Sequence, residues 1–360
     1  MNWLDMTLEE VTILLADMGQ QSYRAQQVYS QLHKGAGFDE MLNLPKVLRE
    51  QLAERPLGGA SVLKKITSRR GDTSKYLFLL QDGNIIEGVL MRHNYGNTLC
   101  ISTQVGCRMG CSFCASTLEG LVRNLEPGEM LGQVLTIERE EGQRGAKSRA
   151  VTNIVLMGSG EPLDNYENVI RFLRLVTGKE GLNVSPRNIS LSTCGLIEGI
   201  RALAQESLPV TLSISLHAPF DDMRRQLMPI AKKYSLASVM EAAGYYVQKT
   251  GRRVIFEYAL VRDLNDTPQC AKQLQTLLRG LQCHVNLIPL NDVEEHALRG
   301  SGRAGDFLEE LTALGVSASV RREMGQDIAG ACGQLRQHHI QAMRPLGQEA
   351  ACGAPMEEQD

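Results

Sequence analysis

Hydrophobic and polar positions change their period twice along this 360-residue chain. Over residues 1 to about 55 the spacing is helical. Val11, Leu14, Leu15 and Met18 recur at three- and four-residue intervals, Thr7-Leu-Glu-Glu10 ahead of them has the form of a capping box, and Gly19 closes the run. A second helix is predicted over 23–34, with Ala25, Val28, Tyr29 and Leu32 on one side. A third opens after Leu44-Pro45 and carries Val47, Leu48 and Leu52, and Pro56-Leu-Gly-Gly59 breaks the pattern. Between Leu63 and Met91 the pattern becomes that of strands. Lys75–Leu80 and Ile85–Met91 read as a hairpin turning at Asp82-Gly83. Glu87 falls inside the second of these strands, and an exposed strand position is its plainest reading.

After Asn97 short apolar strands alternate with helical patterns. The strand candidates are 99–103, 153–157, 188–193, 210–217, 253–261, 284–289 and 316–321; the helices are 130–140, 166–175, 236–249, 269–278 and 306–314. Such alternation calls for a parallel sheet with right-handed crossovers. The expected fold class is α/β, a partial (β/α)6 TIM-like barrel with a small N-terminal helical domain, and its working loops belong at the carboxyl ends of the strands. The expected divisions are a helical accessory domain over 1–60, a connecting β-hairpin over 61–92, the core over 93–328, a short segment over 329–335, and a polar, disordered tail over 336–360.

At 43% hydrophobic content the chain can bury one large core or two unequal ones. No apolar run reaches the roughly 18 residues that a bilayer span needs, and the N-terminus lacks a secretory pattern. The expected compartment is the cytoplasm, with no membrane partner. There the nine cysteines stay reduced, and a clustered set reads as metal-binding or catalytic before it reads as disulfides. The formal charge of −3 gives no global argument for nucleic acid. Two basic runs, Lys64, Lys65, Arg69, Arg70 and Lys75, and Arg224, Arg225, Lys232 and Lys233, are either solvated faces or local phosphate contacts. The N-terminal helices likewise read as a cap on the larger domain or as a small RNA-docking module.

The sharpest chemical signal is Cys107-x-x-x-Cys111-x-x-Cys114, directly after the first strand of the alternating region. A structural zinc site closes with four ligands, often as two C-x-x-C pairs, and the second pair is missing. An iron–sulfur cluster held by three cysteines leaves one iron open, and S-adenosylmethionine (SAM) can fill that position. The spacing, with Phe113 before the last cysteine, resembles the radical SAM signature. The next strand ends Gly158-Ser-Gly160-Glu161-Pro162, where glycines permit close backbone approach and Glu161 can accept hydrogen bonds from a cationic amine. It resembles the element that radical SAM enzymes place on the methionyl amine. Ser192, Ser215-Leu216-His217 and Asn291 end later strands; each alone is a turn or cap residue.

Together, Thr98–Cys107, Gly158–Leu163, Ser213–Pro219, Val285–Pro289 and Asp327–Leu335 resemble the RlmN family over nearly the full chain, from Ser22 to about Leu335. A departure is Ser159, where many members have methionine. The resemblance implies a radical SAM methyltransferase acting on carbon 2 of an adenine in large-subunit (23S) rRNA, and on an anticodon-adjacent adenine in tRNA. It implies one 4Fe–4S cluster on Cys107, Cys111 and Cys114, with SAM held by Gly160, Glu161, Ser192, Ser215, Leu216, His217 and Asn291. Cys332 becomes the methyl carrier, Cys100 the thiol that resolves the protein–RNA link through a transient disulfide, and Glu87 the proton acceptor. A flavodoxin or ferredoxin would supply electrons, a thiol reductant would reset the disulfide, and the enzyme would act as a monomer. Cys194, Cys270, Cys283 and Cys352 receive no role. The nearest alternative is methylation of carbon 8, as in the related Cfr group; the remote one is a non-catalytic zinc protein that binds RNA.

Overall fold

The structure is a computed structural model that describes residues 1–142, 149–291, 297–336 and 338–339. The chain opens with three helices, α1 (Leu8–Asp17), α2 (Ser22–Leu32) and α3 (Lys46–Ala53). The capping box forms: Thr7 Oγ1 accepts from Glu10 N at 3.3 Å, and Thr7 N donates to Glu10 Oε2 at 2.7 Å. These helices have no core of their own. Trp3, Val11, Leu15, Val28 and Leu52 are buried in the same apolar cluster as the helices of the larger domain. Asp5 adds a polar tie, its Oδ1 accepting from Gly128 N at 2.8 Å.

Three antiparallel strands follow, β1 (Ser61–Thr67), β2 (Thr73–Leu79) and β3 (Asn84–His93), and β3 pairs antiparallel with β4 (Gly96–Cys100). The hairpin turning at Asp82-Gly83 is there, but it does more than connect. With β1 it extends the main sheet past β4. A small separate sheet, β5 (Gln104–Gly106) with β6 (Leu121–Asn124), comes next, then α4 (Pro127–Gly142).

The alternation then runs β7 (Asn153–Leu156), α5 (Tyr166–Thr177), β8 (Ile189–Thr193), α6 (Ile197–Leu203), β9 (Thr211–Ser215), α7 (Asp221–Leu227), α8 (Leu236–Thr250), β10 (Val254–Leu260), α9 (Pro268–Leu278), β11 (Cys283–Pro289), α10 (Ala304–Ala313) and β12 (Ala318–Val320). Strands β4, β7, β8, β9, β10 and β11 pair in parallel in that order, giving the six-strand partial barrel; the short β12 adds to β11 at the far edge. The sheet curls strongly enough that Thr98 of β4 and His284 of β11 line one cavity. It does not close: among the described residues no pairing joins β12 back to the other edge.

Period-two alternation decides which side chains face inward. In β10, Val254, Phe256 and Tyr258 are fully buried, whereas Ile255, Glu257 and Ala259 line cavities inside the barrel. In β8, Ile189 and Leu191 are buried, while Ser190 and Ser192 line those cavities. The strands' polar side chains therefore face the lumen, among apolar ones, and the shell is apolar.

Past β12 the chain crosses back over the open side of the barrel. Order continues beyond 336: β13 (His338–His339) pairs antiparallel with β3, opposite Ile85 and Asn84. Sequence polarity does not foresee it, because backbone pairing carries no side-chain signature. The rest of the expected tail, with Cys352, lies outside the described residues. Among the described residues no helix is long and apolar enough to cross a membrane.

Candidate active site

The cysteine loop hangs between β5 and β6, so a local antiparallel pair frames it. Cys107 N donates to Gly120 O at 2.9 Å, Cys114 N to Cys111 O at 3.2 Å, and Thr117 Oγ1 to Cys114 O at 2.9 Å. Ser112 N, donating to Leu227 O at 2.9 Å, ties the loop to the end of α7. Met109 and Phe113 pack with Leu227, Met228 and Ala218 around Cys111 and Cys114. This apolar wrap pushes the Cys107 thiol up to about 12 and raises Cys111 and Cys114 as well; the neighbouring sulfurs raise Cys111 further. Three thiols so held ionise when a strongly positive group joins them. Among the described residues no three His, Cys, Asp or Glu side chains converge on a single ion. Three thiols on one loop fit a multi-iron cluster that leaves one iron open.

All three cysteines line a cleft at the carboxyl ends of the strands. Gly160, Glu161, Ser192, Ser215, His217 and Asn291 line it too. The Gly158–Gly160 turn comes very close to the preceding strand end: a Cβ on Gly158 would stand 2.6 Å from Ile101 O, and one on Gly160, at φ +108°, 2.6 Å from Gln104 Cβ. Glu161 is 4% exposed, and its carboxylate accepts from Leu163 N at 3.0 Å and Cys194 N at 2.7 Å. Burial raises its pKa while these amide bonds oppose the rise. Ser159 is buried with no hydrogen-bond partner for its Oγ.

His217 takes a left-handed backbone, φ 54°. Its Nδ1 accepts from Ala259 N at 2.9 Å, and burial drives its pKa down to about 3, so the ring is neutral with the proton on Nε2. The Phe113 ring meets it edge-on, centroids 4.7 Å apart. Leu216 differs from its neighbours: its side chain is fully buried in the main core and is not among the cleft-lining residues.

Cys332 lines the cleft beside the cysteine loop, although it lies more than two hundred residues downstream. It also shares a small adjoining cavity with Cys100. Both are free thiols. Burial pushes Cys100 up to about 12, and the Cys332 sulfur adds to the rise. The segment carrying Cys332 is clasped along its length. Asn291 Nδ2 donates to Cys332 O at 3.1 Å, Ala115 N to Gly333 O at 2.7 Å, and Ser116 Oγ to Leu335 O at 2.8 Å.

Glu87 belongs to this clasp. It is 2% exposed, not an exposed strand residue, because Lys75 Nζ donates to its Oε1 at 3.0 Å and Arg336 N to its Oε2 at 3.0 Å. It occupies the face of β3 that Val89 shares with Cys100, the two being directly paired across β3 and β4. It does not line the cleft.

Several residues differ from their sequence reading. Arg224 is fully buried, donating to Cys194 O at 2.7 Å and Ser215 O at 3.3 Å, so it is no phosphate contact. Lys75 is committed to Glu87 and to Ala329 O at 3.2 Å. Cys194 lines the cleft, its N–H on Glu161. Glu257 and Arg321, which the sequence reading passes over, also line it. Alternation along β10 is the signal that would have found Glu257, a carboxylate on the lumen face of an otherwise apolar strand.

Comparison with known proteins agrees with this geometry. The radical SAM superfamily description matches residues 101–269, and that of the ribosomal RNA large subunit methyltransferase N-terminal domain matches residues 1–56. A probable dual-specificity RNA methyltransferase RlmN from Alkaliphilus oremlandii (strain OhILAs) is 50% identical over 342 residues, 94% of this chain and 98% of its own length. The protein of the same description from Clostridium perfringens (strain 13 / Type A) is 50% identical over 346 residues, 95% and 98% of the two chains. Among solved structures, a radical SAM methyltransferase from Sphaerobacter thermophilus aligns with a TM-score of 0.89 at 44% identity, covering 93% of this chain and 99% of that one.

Proposed function

The chain belongs to the RlmN family of radical SAM methyltransferases, which use a 4Fe–4S cluster and SAM, and from that premise we propose that it methylates carbon 2 of adenine in RNA. The substrates in this reading are one adenosine of 23S rRNA and the anticodon-adjacent adenine of tRNA, and the enzyme works in the cytoplasm. Carbon 2 is electrophilic and cannot attack a sulfonium methyl group, so the methyl group must travel through the protein. The observation that carries the proposal is the convergence of Cys332 with Cys107, Cys111 and Cys114 on one cleft wall.

Cys107, Cys111 and Cys114 would hold the cluster, and Gly160, Glu161, Ser192, Ser215, His217 and Asn291 would hold SAM against it, with Leu216 contributing through its backbone. The cluster, when bound, would supply the electron for reductive cleavage of SAM. Cys332 would take a methyl group from one SAM, and that methyl group, after giving up a hydrogen atom to the radical fragment of a second SAM, would carry the new bond to carbon 2. Asn291, bonded to the Cys332 carbonyl, holds the carrier backbone at the cleft. Glu87 is the proton acceptor for carbon 2. Reaching the base requires release of its bonds to Lys75 and Arg336, so RNA entry and loosening of the carrier segment are coupled. Cys100 takes up the Cys332 sulfur in a transient disulfide as the methylated base leaves, and a thiol reductant resets the pair. A flavodoxin or ferredoxin supplies electrons, and the enzyme acts as a monomer.

Carbon 2 faces into a paired helix, so the RNA must present a splayed base. Lys64, Arg69, Arg70 and Lys232, which stay exposed, and the N-terminal helices are the surfaces for phosphate contact. The test is a Cys100→Ala enzyme purified from cells. It should carry RNA covalently on Cys332, and nucleosides from RNA treated with the wild type should contain 2-methyladenosine. RNA-free Cys100→Ala protein would sink the resolving role; 8-methyladenosine as sole product would move the protein to carbon 8 chemistry.

A further inference from the structure

The hairpin that joins β3 to β4 carries an aromatic residue where a turn does not ask for one. His93 pairs with Gly96 across it, so Asn94 and Tyr95 form the tip. Such tips favour Gly, Asn and Asp, yet Tyr95 is 79% exposed and stacks on the His93 ring, centroids 4.8 Å apart and planes 5° from parallel. The tip is held from below. Asn97 Nδ2 donates to Ala150 O at 2.8 Å, and the Asn97 carbonyl accepts from Thr152 N at 3.0 Å and Thr152 Oγ1 at 2.8 Å. Gly96, at φ +131°, lies so close to Thr152 that a Cβ would stand 2.4 Å from its Oγ1. Tyr95 therefore adds little to the core, and it stands on a fixed mount.

The pair sits at the mouth of a cavity that enters the barrel near the amino ends of its strands, past Thr98, Ile255 and His284. Its walls lead to the chemistry. Met157, Glu257 and Arg321 line both this cavity and the catalytic cleft, and Met157, Arg321 and Arg322 also line the small cavity of Cys100 and Cys332. Among the described residues that line the mouth and its cavity, Arg92, Arg321 and Arg322 face a single carboxylate, Glu257. Arg92 is taken up by Glu141 at 2.8 Å, whereas Arg322 is exposed, 3.5 Å from Asp72. Asp72 ends the β1–β2 turn, which Arg92 N, donating to Asp72 O at 2.8 Å, ties beside the tip; Arg69 and Arg70 of that turn are exposed. Burial lowers the His93 pKa and Arg322 lowers it further, so the imidazole stacks as a neutral ring. Tyr23, exposed on α2, lines none of these cavities.

We propose that the His93–Tyr95 pair is a stacking platform for an unpaired base of the RNA substrate, the nucleotide next to the target adenosine, with Arg322, Arg69 and Arg70 on the phosphates that flank it. The inference rests on the reading of the chain as an RNA methyltransferase and names the part of the RNA that this surface takes. A target adenosine drawn out of its stack leaves its neighbour without a stacking partner. Aromatic side chains replace that partner in single-strand recognition, and they do so for any base, because every base has a π-face. Such tolerance suits an enzyme that accepts two different RNAs. A ring already fixed on its mount loses little freedom when a base settles on it.

The experiment uses cluster-loaded enzyme purified without oxygen and two probes, an anticodon stem–loop RNA and a 23S rRNA fragment, each with 2-aminopurine beside the target adenine. Stacking dims that fluorophore. Tyr95→Ala should weaken binding of both probes roughly tenfold, raise KM more than it lowers kcat, and leave the 2-aminopurine brighter in the saturated complex than the wild type does. Tyr95→Phe should keep wild-type affinity and intensity, because stacking needs the ring and not the hydroxyl. Arg322→Gln should weaken binding less and flatten its salt dependence. Iron content and thermal midpoint should match the wild type in Tyr95→Ala, since the side chain is exposed. A folded Tyr95→Ala enzyme with wild-type affinity and wild-type intensity overturns the platform and leaves the methyltransferase reading standing. So does a Tyr95→Ala enzyme whose RNA binding is unchanged while its sedimentation shifts, which would assign the tip to contact between copies of the chain. A wild type that binds both probes through Tyr95 and yields no methyladenosine defeats the methyltransferase reading and leaves the platform standing. A wild type that binds neither RNA overturns both.

Discussion

Two sets of cysteines meet in one cleft, and they arrive by different routes. Cys107, Cys111 and Cys114 are placed by a loop that the β5–β6 pair closes, with hydrogen bonds such as Cys107 N to Gly120 O and Thr117 Oγ1 to Cys114 O spanning a few residues. Cys100 and Cys332 are placed by contacts between distant parts of the chain. Arg336 N reaches Glu87 across 249 positions, Lys75 reaches Ala329 across 254, and Ser116 reaches Leu335 across 219. Ligands that must hold a fixed geometry sit on a rigid local frame. The sulfur that the proposed mechanism methylates, bonds to RNA and pairs with a second thiol sits on a strap held by several separate ties.

The largest effects should divide along that line. Cys107→Ala removes a cluster ligand, and both iron content and methyl transfer should fall to background. Cys332→Ala should abolish methyl transfer with iron content unchanged. Iron analysis and the visible absorbance of anaerobically purified protein, beside nucleoside mass spectrometry, check both. Equal iron loss in the two variants would erase the distinction between frame and strap.

The same division explains what could be read from sequence. The cluster loop is legible because spacing alone carries it, and so are the α1 capping box and the Asp82-Gly83 turn. The seven parallel strands follow from short apolar runs alternating with helices. Helices α6 and α7 go unnoticed because seven residues are too few to show a period. Arg224 sits in a row of basic residues and looks like surface, yet α7 turns it inward onto two backbone carbonyls. Glu87 looks exposed because its partners, Lys75 and Arg336, come from another strand and from the far end of the chain. No local pattern ties Cys332 to Cys114. The family resemblance brings them together in the reading, and the fold brings them together in space.

The strap can be tested without touching a cysteine. Lys75→Met would leave the Glu87 carboxylate, 2% exposed, without its buried cation. Removing one partner of a buried pair costs about 3–5 kcal/mol, and the lost bond to Ala329 O falls on the strap itself. Urea denaturation should report a loss of that order. Hydrogen exchange should rise first at 329–336, with the 107–120 loop still protected. A uniform rise over both regions would mean that frame and strap are one cooperative unit.

Acid should act on the other side of the cleft, through His217. Its folded-state pKa of about 3 lies below the ordinary value of 6.5, so between those values the unfolded chain binds the extra proton and the native state does not. Stability therefore falls as pH drops from 6.5 towards 3, by about 1.4 kcal/mol per unit, or about 2 kcal/mol between pH 6.5 and 5. His33, held near 4 by burial, adds a cost of the same sign. Glu161 and Glu257, whose pKa values are raised, act in the opposite direction by binding protons in the native state. Urea unfolding at the two pH values isolates the contribution: His217→Gln should shrink the wild-type difference by about 2 kcal/mol. Protonation would put a hydrogen on Nδ1, where Ala259 N now donates, and would disturb the ring that Phe113 of the cluster loop packs against. The loop side should loosen first in acid, the reverse of the order expected for Lys75→Met. An unchanged pH difference in His217→Gln would show that the histidine is not held neutral and that acid sensitivity lies elsewhere.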